Sequence, residues 1–376
     1  MGGTTAAEDR RWMAMALSLA RRGLGRVAPN PAVAALIVQD QRLLGRGVTA
    51  PGGRPHAEAQ ALAAANDLAG PEAVKGATVY VTLEPCAHHG LTPPCADALV
   101  AAGIARLVCP LGDPDPRVAG RGFERLRAAG LTVDIGVMAA EAAAINAGFL
   151  RRIEHRRPHL TLKLATTLDG RIATASGESR WITGPEARLR VHGLRARSDA
   201  ILIGAGTARA DDPMLDVRGF GANAPQPVRV VLDGRLTLPA DGRLARSAGT
   251  QPLWILHGPS ATATEDRAKA LTDSGARLIP IPGDGREVDP GAALDALAGA
   301  GLTRVLCEGG GRLAASLLRA GLVDELWLFT AGKAIGAEGT ASVGPLGLGR
   351  LAEAPALALD RIERVGADTL SVWRRS

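Results

Sequence analysis

Two cysteines, Cys86 and Cys95, share one Gly/Pro-rich segment, Pro85-Cys86-Ala87-His88-His89-Gly90-Leu91-Thr92-Pro93-Pro94-Cys95. Thiolates are soft ligands that favour zinc, and a catalytic zinc takes three protein ligands and leaves a fourth position to water. Upstream, His56 opens a helical pattern in Pro55-His56-Ala57-Glu58, which sets a carboxylate two residues beyond an imidazole. His56, Cys86 and Cys95 would balance the charge of Zn²⁺ with two thiolates, and nearby helix N-termini would favour further negative charge at the ion. The competing reading is a structural zinc closed by His88 or His89. Glu58 argues against it, because a closed site has no use for a carboxylate beside its ligands. Cys109 and Cys307 sit in apolar strand patterns and read as small buried residues. A disulfide between Cys86 and Cys95 does not suit a cytoplasmic chain.

In the second half, an apolar strand pattern at 304–307 runs into Glu308-Gly309-Gly310-Gly311-Arg312 and then a helical stretch. Glycines at a strand end let backbone amides approach a pyrophosphate, and the helix start adds partial positive charge. No Gly-x-Gly-x-x-Gly follows the first strand of this half, so an ordinary Rossmann cofactor site is not indicated. Lys163 stands inside an apolar strand pattern in a chain with only four lysines (Lys75, Lys163, Lys269 and Lys333).

The elements that must position these groups alternate. Strand patterns at 32–38, 77–83 and 106–111 are separated by helical patterns near 9–22, 57–69, 95–102, 121–129 and 139–149, with Gly23, Gly70, Gly103 and Gly130 as stops. The charged stretch 151–158 breaks the pattern, and strands resume at 159–165, 200–204, 228–232, 253–257, 304–308 and 325–331. The expected organisation is an α/β chain of two domains, 1–150 and 159–376, joined by a linker at 151–158. A length of 376 residues fits that number at roughly 150 residues per domain.

Composition narrows the class further. A hydrophobic share of 46% with 22% charged residues supplies a core to each half and excludes disorder as the main state. The apolar run at 13–20 is preceded by Glu8 and Asp9 and closed by Arg21 and Arg22, which is an amphipathic helix rather than a signal peptide. The expectation is a cytoplasmic protein without membrane spans. A net charge of +6 invites a nucleic-acid partner, but aromatic residues are 3% of the chain and the arginines are scattered, which suits small anionic molecules better.

His-x-Glu followed by Pro-Cys and a second Cys reproduces the zinc deaminase signature, in which Glu passes a proton from water to departing ammonia. Eight residues separate the cysteines here instead of the usual two. With the His pair, Gly, Thr and two Pro between them, the segment resembles the bifunctional pyrimidine deaminase and reductase family of riboflavin biosynthesis. The likeness continues through Asn30-Pro31, Thr82-Leu83-Glu84-Pro85-Cys86, Gly112-Asp113-Pro114, Leu168-Asp169-Gly170-Arg171, Ser176-Gly177-Glu178-Ser179, Asp211-Asp212-Pro213 and Glu308-Gly309-Gly310.

The resemblance implies a cytidine-deaminase-like three-layer domain followed by a dihydrofolate-reductase-like α/β domain. It implies zinc on His56, Cys86 and Cys95, Glu58 as acid and base, and Asn30, His88 and Asp113 around the substrate. For the second domain it implies NADPH held by Ala165, Trp181, Thr207, Asp211, Gly310, Gly311, Arg312, Leu313, Ala314, Ala315 and Ser316. Substrate would meet Ser179, Arg195, Leu215, Arg218 and Glu308, with the arginines as partners for a ribose phosphate. The ribosylamine ring must open to an imine before C1 accepts hydride, and Lys163, Asp211 and Glu308 are the proton donors to consider. The implied substrates are phosphoribosyl pyrimidines, and the implied assembly is a homo-oligomer, dimer or tetramer. The chain departs from the family at Leu91, where many relatives carry Lys or Arg, at Asp115 in place of Asn, and at Ala34 in place of Gly. Arg117 or Arg121 would then have to take over a phosphate contact.

Overall fold

In the N-terminal unit the apolar strands are buried on both faces, because helices cover both sides of the sheet they form. The computed structural model describes residues 5–88, 93–259, 265–283 and 287–375, and the chain forms two units, Met1–Arg156 and Arg157–Ser376. The first contains β1 (Ala34–Gln39), β2 (Arg42–Val48), β3 (Thr78–Val81), β4 (Arg106–Cys109) and β5 (Thr132–Ile135). Its helices are α1 (Ala6–Ala20), α2 (Ala57–Ala69), α3 (Cys95–Ala101), α4 (Arg121–Ala128) and α5 (Ala139–His155).

The sheet order is β2-β1-β3-β4-β5, antiparallel across β2, β1 and β3 and parallel from β3 to β5. Side chains alternate between its faces. Ala35, Ile37, Val79, Val81, Leu107 and Cys109 pack with α2, α3 and α4. Ala34, Leu36, Val38, Tyr80 and Val108 pack with α1 and α5. The result is three layers. Buried Asp9 ties α1 to the sheet by accepting from Tyr80 Oη at 2.7 Å and from Arg106 Nη1 and Nη2 at 2.9 and 2.8 Å.

Strand β5 is not expected from the sequence pattern, and two further features differ from it. Strand β2, Arg-Leu-Leu-Gly-Arg-Gly-Val, is masked there by its arginines and glycines. Those glycines let α2 lie against it, since a Cβ on Gly45 would sit 2.2 Å from Ala61 O and one on Gly47 2.1 Å from Ala57 O. Helix α5 also continues to His155 through the first part of the stretch expected to be a linker. Arg152 and His155 in its last turn suit the negative end of the helix dipole, so charge there extends the helix rather than ending it.

The second unit contains β6 (His159–Thr167), β7 (Arg171–Ala173), β8 (Ala200–Gly204), β9 (Val228–Leu232), β10 (Leu253–His257), β11 (Arg277–Pro280), β12 (Arg304–Cys307), β13 (Glu325–Ala331), β14 (Thr340–Ala341), β15 (Ala358–Val365) and β16 (Asp368–Arg374). Its helices are α6 (Pro185–Arg195), α7 (Ala205–Asp211), α8 (Arg243–Arg246), α9 (Glu265–Asp273), α10 (Pro290–Gly299) and α11 (Gly311–Arg319). Nine strands form one sheet in the order β11-β10-β9-β8-β12-β6-β13-β16-β15, while β14 and β7 pair separately.

Strands β11 through β13 run parallel and β16 and β15 close the sheet antiparallel. Helices α10 and α11 cover one face, and α6, α7, α8 and α9 contribute to clusters on the other. Neighbouring strands β8 and β12 each lead directly into a helix, α7 and α11, so two helix starts share the carboxyl edge of the sheet. Ligands in such sheets bind in the crevice outside that edge. Among the described residues, no helix is long and apolar enough to cross a membrane.

Candidate functional site

His56 is the N-cap of α2, yet its side chain makes no capping bond. Its Nδ1 instead lies 3.7 Å from Cys86 Sγ and 3.4 Å from Cys95 Sγ. Cys95 opens α3, and its backbone N–H donates to Cys86 Sγ at 3.3 Å. The three ligand atoms all lie within 4.8 Å of one another. A tetrahedral zinc with ordinary Zn–N and Zn–S bonds sets its ligand atoms roughly 3.5–3.8 Å apart, so this donor set fits the ion.

Among the described residues no fourth His, Cys, Asp or Glu joins the set, which argues against a structural zinc closed by His88. His89 and Leu91 lie outside the described residues. In the metal-free state the Cys95 thiol donates to Cys86, which pulls Cys86 down to about 4 and pushes Cys95 up. Cys86 also raises His56. Glu58, in the first turn of α2, is 4% exposed, and burial pushes its carboxyl up to about 7.

A cleft of about 280 Å³ opens on this centre. It brings together the expected Asn30, His56, Glu58, Cys86, His88 and Asp113. Gly53, at φ +90°, packs on the side chain of Asn30 with no room for a Cβ. Among the described residues the buried Nδ1 of His88 has no hydrogen-bond partner. Burial raises Asp113 to about 6. Arg117 also lines the cleft, but its guanidinium grips Asp115 through Nε at 2.9 Å, and this hydrogen bond lowers Asp115. Arg121 starts α4 and is not in the lining. Thr49, Arg54 and Glu84 line the cleft without a role assigned from sequence. Glu84 falls in the segment Thr82-Leu83-Glu84-Pro85-Cys86, while Thr49 and Arg54 carry no distinguishing signal in the sequence.

The second group of expected residues gathers at the carboxyl edge of the larger sheet. Cys307 pairs with Leu162 and Leu202, which sets Glu308 one step beyond, beside Lys163 of β6. Arg195, the last residue of α6, donates to Glu308 Oε1 through Nε at 2.6 Å and to Oε2 through Nη2 at 3.0 Å. Burial alone would raise Glu308, but Arg195 and Lys163 hold it below the ordinary carboxylate range. Burial lowers Lys163, with Glu308 opposing and Arg195 adding to the effect. Arg195 Nη1 also donates to Asp216 O at 2.9 Å, which ties down the segment carrying buried Leu215 and exposed Arg218.

Thr207 of α7 and Gly310, the N-cap of α11, meet directly: Gly310 N donates to Thr207 Oγ1 at 3.1 Å. Ala314 and Ala315 are buried and Ala314 N is already bonded to Gly310 O, so the amides at the open end of α11 are those of Gly311, Arg312 and Leu313, with Ser316 a turn further on. Trp181 is 63% exposed, with the Arg188 guanidinium 4.6 Å from its ring centroid. Ser179 and Ala165 are half-buried. Asp211 is exposed at the end of α7, where its carbonyl accepts from Arg180 Nη2 at 3.1 Å.

Comparison with known proteins gives the same division. Residues 6–111 match the cytidine and deoxycytidylate deaminase zinc-binding region, and residues 158–371 match the RibD C-terminal domain. The riboflavin biosynthesis protein RibD of Escherichia coli is 41% identical over 372 residues, covering 96% of this chain and 98% of that protein. Its Aquifex aeolicus counterpart is 38% identical and covers 98% of both chains. Among solved structures, Acinetobacter baumannii RibD superposes with TM-score 0.86 at 36% identity, covering 99% of this chain and 100% of that one. A diaminohydroxyphosphoribosylaminopyrimidine deaminase/5-amino-6-(5-phosphoribosylamino)uracil reductase from Thermotoga maritima gives 0.87 at 31% identity, covering 99% of each chain.

Proposed function

The chain belongs to the RibD family of bifunctional deaminase/reductases of riboflavin biosynthesis, and from that premise we propose which of its residues carry the two reactions. The N-terminal unit has the cytidine-deaminase-like fold and the C-terminal unit the dihydrofolate-reductase-like fold of these enzymes. The first reaction replaces an amino group of a pyrimidinone carrying a phosphoribosylamino chain with oxygen from water and releases ammonia. The second reduces the ribosyl chain to ribityl. Bound zinc supplies Lewis acidity to the water of the first reaction, and bound NADPH supplies the hydride of the second.

The observation that carries the first assignment is the convergence of His56, Cys86 and Cys95 beside buried Glu58. His56 Nδ1, Cys86 Sγ and Cys95 Sγ hold the metal. Glu58, poised near neutrality by burial, takes a proton from water and gives it to the departing amine. Asn30, His88 and Asp113 orient the pyrimidine ring.

In the C-terminal unit Lys163 gives a proton to the ribose ring oxygen as the ring opens. Glu308, held ionised by Arg195, keeps Lys163 charged and in place, and Asp211 stands apart as an exposed contact for the nucleotide. Thr207 and the first amides of α11 cradle the cofactor phosphates. Trp181, Ala165 and Ser316 complete that site, while Ser179, Leu215 and Arg218 meet the pyrimidine or its phosphate. The thiols of Cys86 and Cys95 suit a reducing cytoplasm. Exposed Leu359 and Ile362 on edge strand β15 favour assembly as a dimer or tetramer, which light scattering tests.

The decisive experiment is a paired assay on zinc-loaded protein: ammonia release without cofactor, then NADPH oxidation on deaminated substrate, each repeated for Glu58→Gln. Loss of ammonia release with NADPH oxidation preserved supports two separate sites. Ammonia release that survives the substitution overturns the assignment of Glu58.

A further inference from the structure

Glu84 lies two residues before Cys86, is 4% exposed and lines the cleft. Its carboxylate meets backbone amides from a distant segment. Oε2 accepts from Asp113 N at 3.1 Å and from Gly120 N at 3.0 Å, and Oε1 accepts from Gly122 N at 2.9 Å and Phe123 N at 3.4 Å. A carboxylate has about four lone-pair directions, so these donors use its accepting capacity and leave none for a reacting proton. Gly122 is held so close that a Cβ there would sit 2.1 Å from Pro85 O.

From Asp113 the hydrogen bonds continue along the cleft wall. Asp115 N donates to Asp113 Oδ1 at 2.8 Å, and Arg117 N donates to Asp115 Oδ1 at 2.9 Å. Glu84, Asp113, Asp115 and Arg117 all line the cleft, so one buried carboxylate anchors a run of cleft-facing side chains. The acid–base and metal groups are fixed otherwise. His56 and Glu58 ride on α2, which is seated on β2 through Gly45 and Gly47, and Cys86 is held by the backbone N–H groups of Cys95 and Ala96.

We propose that Glu84 is a positioning residue for deamination: it sets the substrate-facing segment from Asp113 to Arg117, and through it substrate affinity, without entering the proton transfers. This rests on the reading of the cleft as the deamination site. Glutamine is the discriminating substitution, because it keeps size but replaces one acceptor oxygen with an amide that faces backbone N–H groups. Either Asp113 and Gly120 or Gly122 and Phe123 then lose their acceptor.

The test uses the zinc-loaded full chain carrying Glu84→Gln, with the diaminopyrimidinone phosphoribosyl substrate. The expected result is a KM for ammonia release raised about tenfold or more with kcat within about threefold of wild type. Zinc content and NADPH oxidation stay unchanged, and hydrogen exchange at Asp113, Gly120 and Gly122 is faster. A merely structural role lowers kcat with the active fraction and leaves KM where it was, and that result overturns the proposal. If Glu84→Gln does not fold, Glu84→Asp is read the same way: a severalfold rise in KM supports the proposal and an unchanged KM overturns it. Ammonia release surviving in Glu58→Gln would instead overturn the assignment of Glu58, and with it the reading of the cleft on which this proposal rests, a failure distinguishable from an unchanged KM in Glu84→Gln.

Discussion

Arg195 closes a two-bond fork on Glu308 across 113 residues of sequence, and both lie beside Lys163. A carboxylate so held stays ionised, which in the proposed mechanism leaves Lys163 as the group with a proton to give. As a lysine whose pKa lies below the ordinary 10.5, it loses that proton as pH rises through the lowered value. The kcat/KM for NADPH oxidation is therefore expected to fall on the basic side before pH 10.5. Glu308→Gln removes the charge that raises Lys163, so the basic limb moves to lower pH. A pH–rate series on wild type and variant checks this, and a limb that does not move would count against Lys163 as the donor.

The contact between Gly310 N and Thr207 Oγ1 joins the starts of α7 and α11. Thr207→Val keeps the shape and removes the acceptor. KM for NADPH is expected to rise roughly tenfold, the value for one hydrogen bond to a backbone donor, while KM for the pyrimidine changes little. Initial-rate kinetics with each substrate varied separately would reveal a uniform effect, which would place Thr207 outside the cofactor site.

Zinc loading should become tighter with pH. In the metal-free protein Cys95 keeps its proton because it donates to Cys86, and that proton must leave for the thiolate to bind. Competition against a chromophoric chelator at pH 6, 7 and 8 should show affinity rising about tenfold per pH unit for each proton displaced. A flat profile would contradict a two-thiolate site. Removing zinc should abolish ammonia release and spare NADPH oxidation.

Gly47→Ala tests the seat of α2. The added carbon would stand 2.1 Å from Ala57 O, a backbone atom next to His56 and Glu58. Relief requires α2 to shift, which costs about 1–3 kcal/mol of stability. Displacement of Glu58 should lower kcat/KM for deamination about a hundredfold. Ammonia-release assays beside thermal melting separate the two effects; a destabilised enzyme with normal deamination per folded molecule would show that Gly47 serves the fold alone.

The candidate metal cluster is legible in the sequence because metal binding needs rare residue types at short spacings, with His56 and Cys95 each at a helix start. Strands β8, β9 and β10 match their apolar runs, since burial on both faces leaves a nearly unbroken signal, and β13 matches although it is buried mainly at alternate positions. The hairpin of β15 and β16 was not legible: β15 is largely exposed and mixes Asp360, Arg361, Glu363 and Arg364 into its pattern. The task of Glu84 is not legible in the sequence, because its partners are backbone amides that no residue type announces. The sequence suggests a phosphate as the partner of Arg195, whereas its fork in the structure holds Glu308, 113 residues along the chain. Pairings of that range depend on which strands become neighbours.

The two proposed sites draw their side chains from separate units, Met1–Arg156 for one and Arg157–Ser376 for the other. Lesions in them should therefore sort genetically into two complementation groups. A cell carrying one copy crippled at Glu58 and another crippled at Lys163 would complete both reactions whenever the deaminated intermediate passes through bulk solvent, and would fail to do so only if each molecule must process its own.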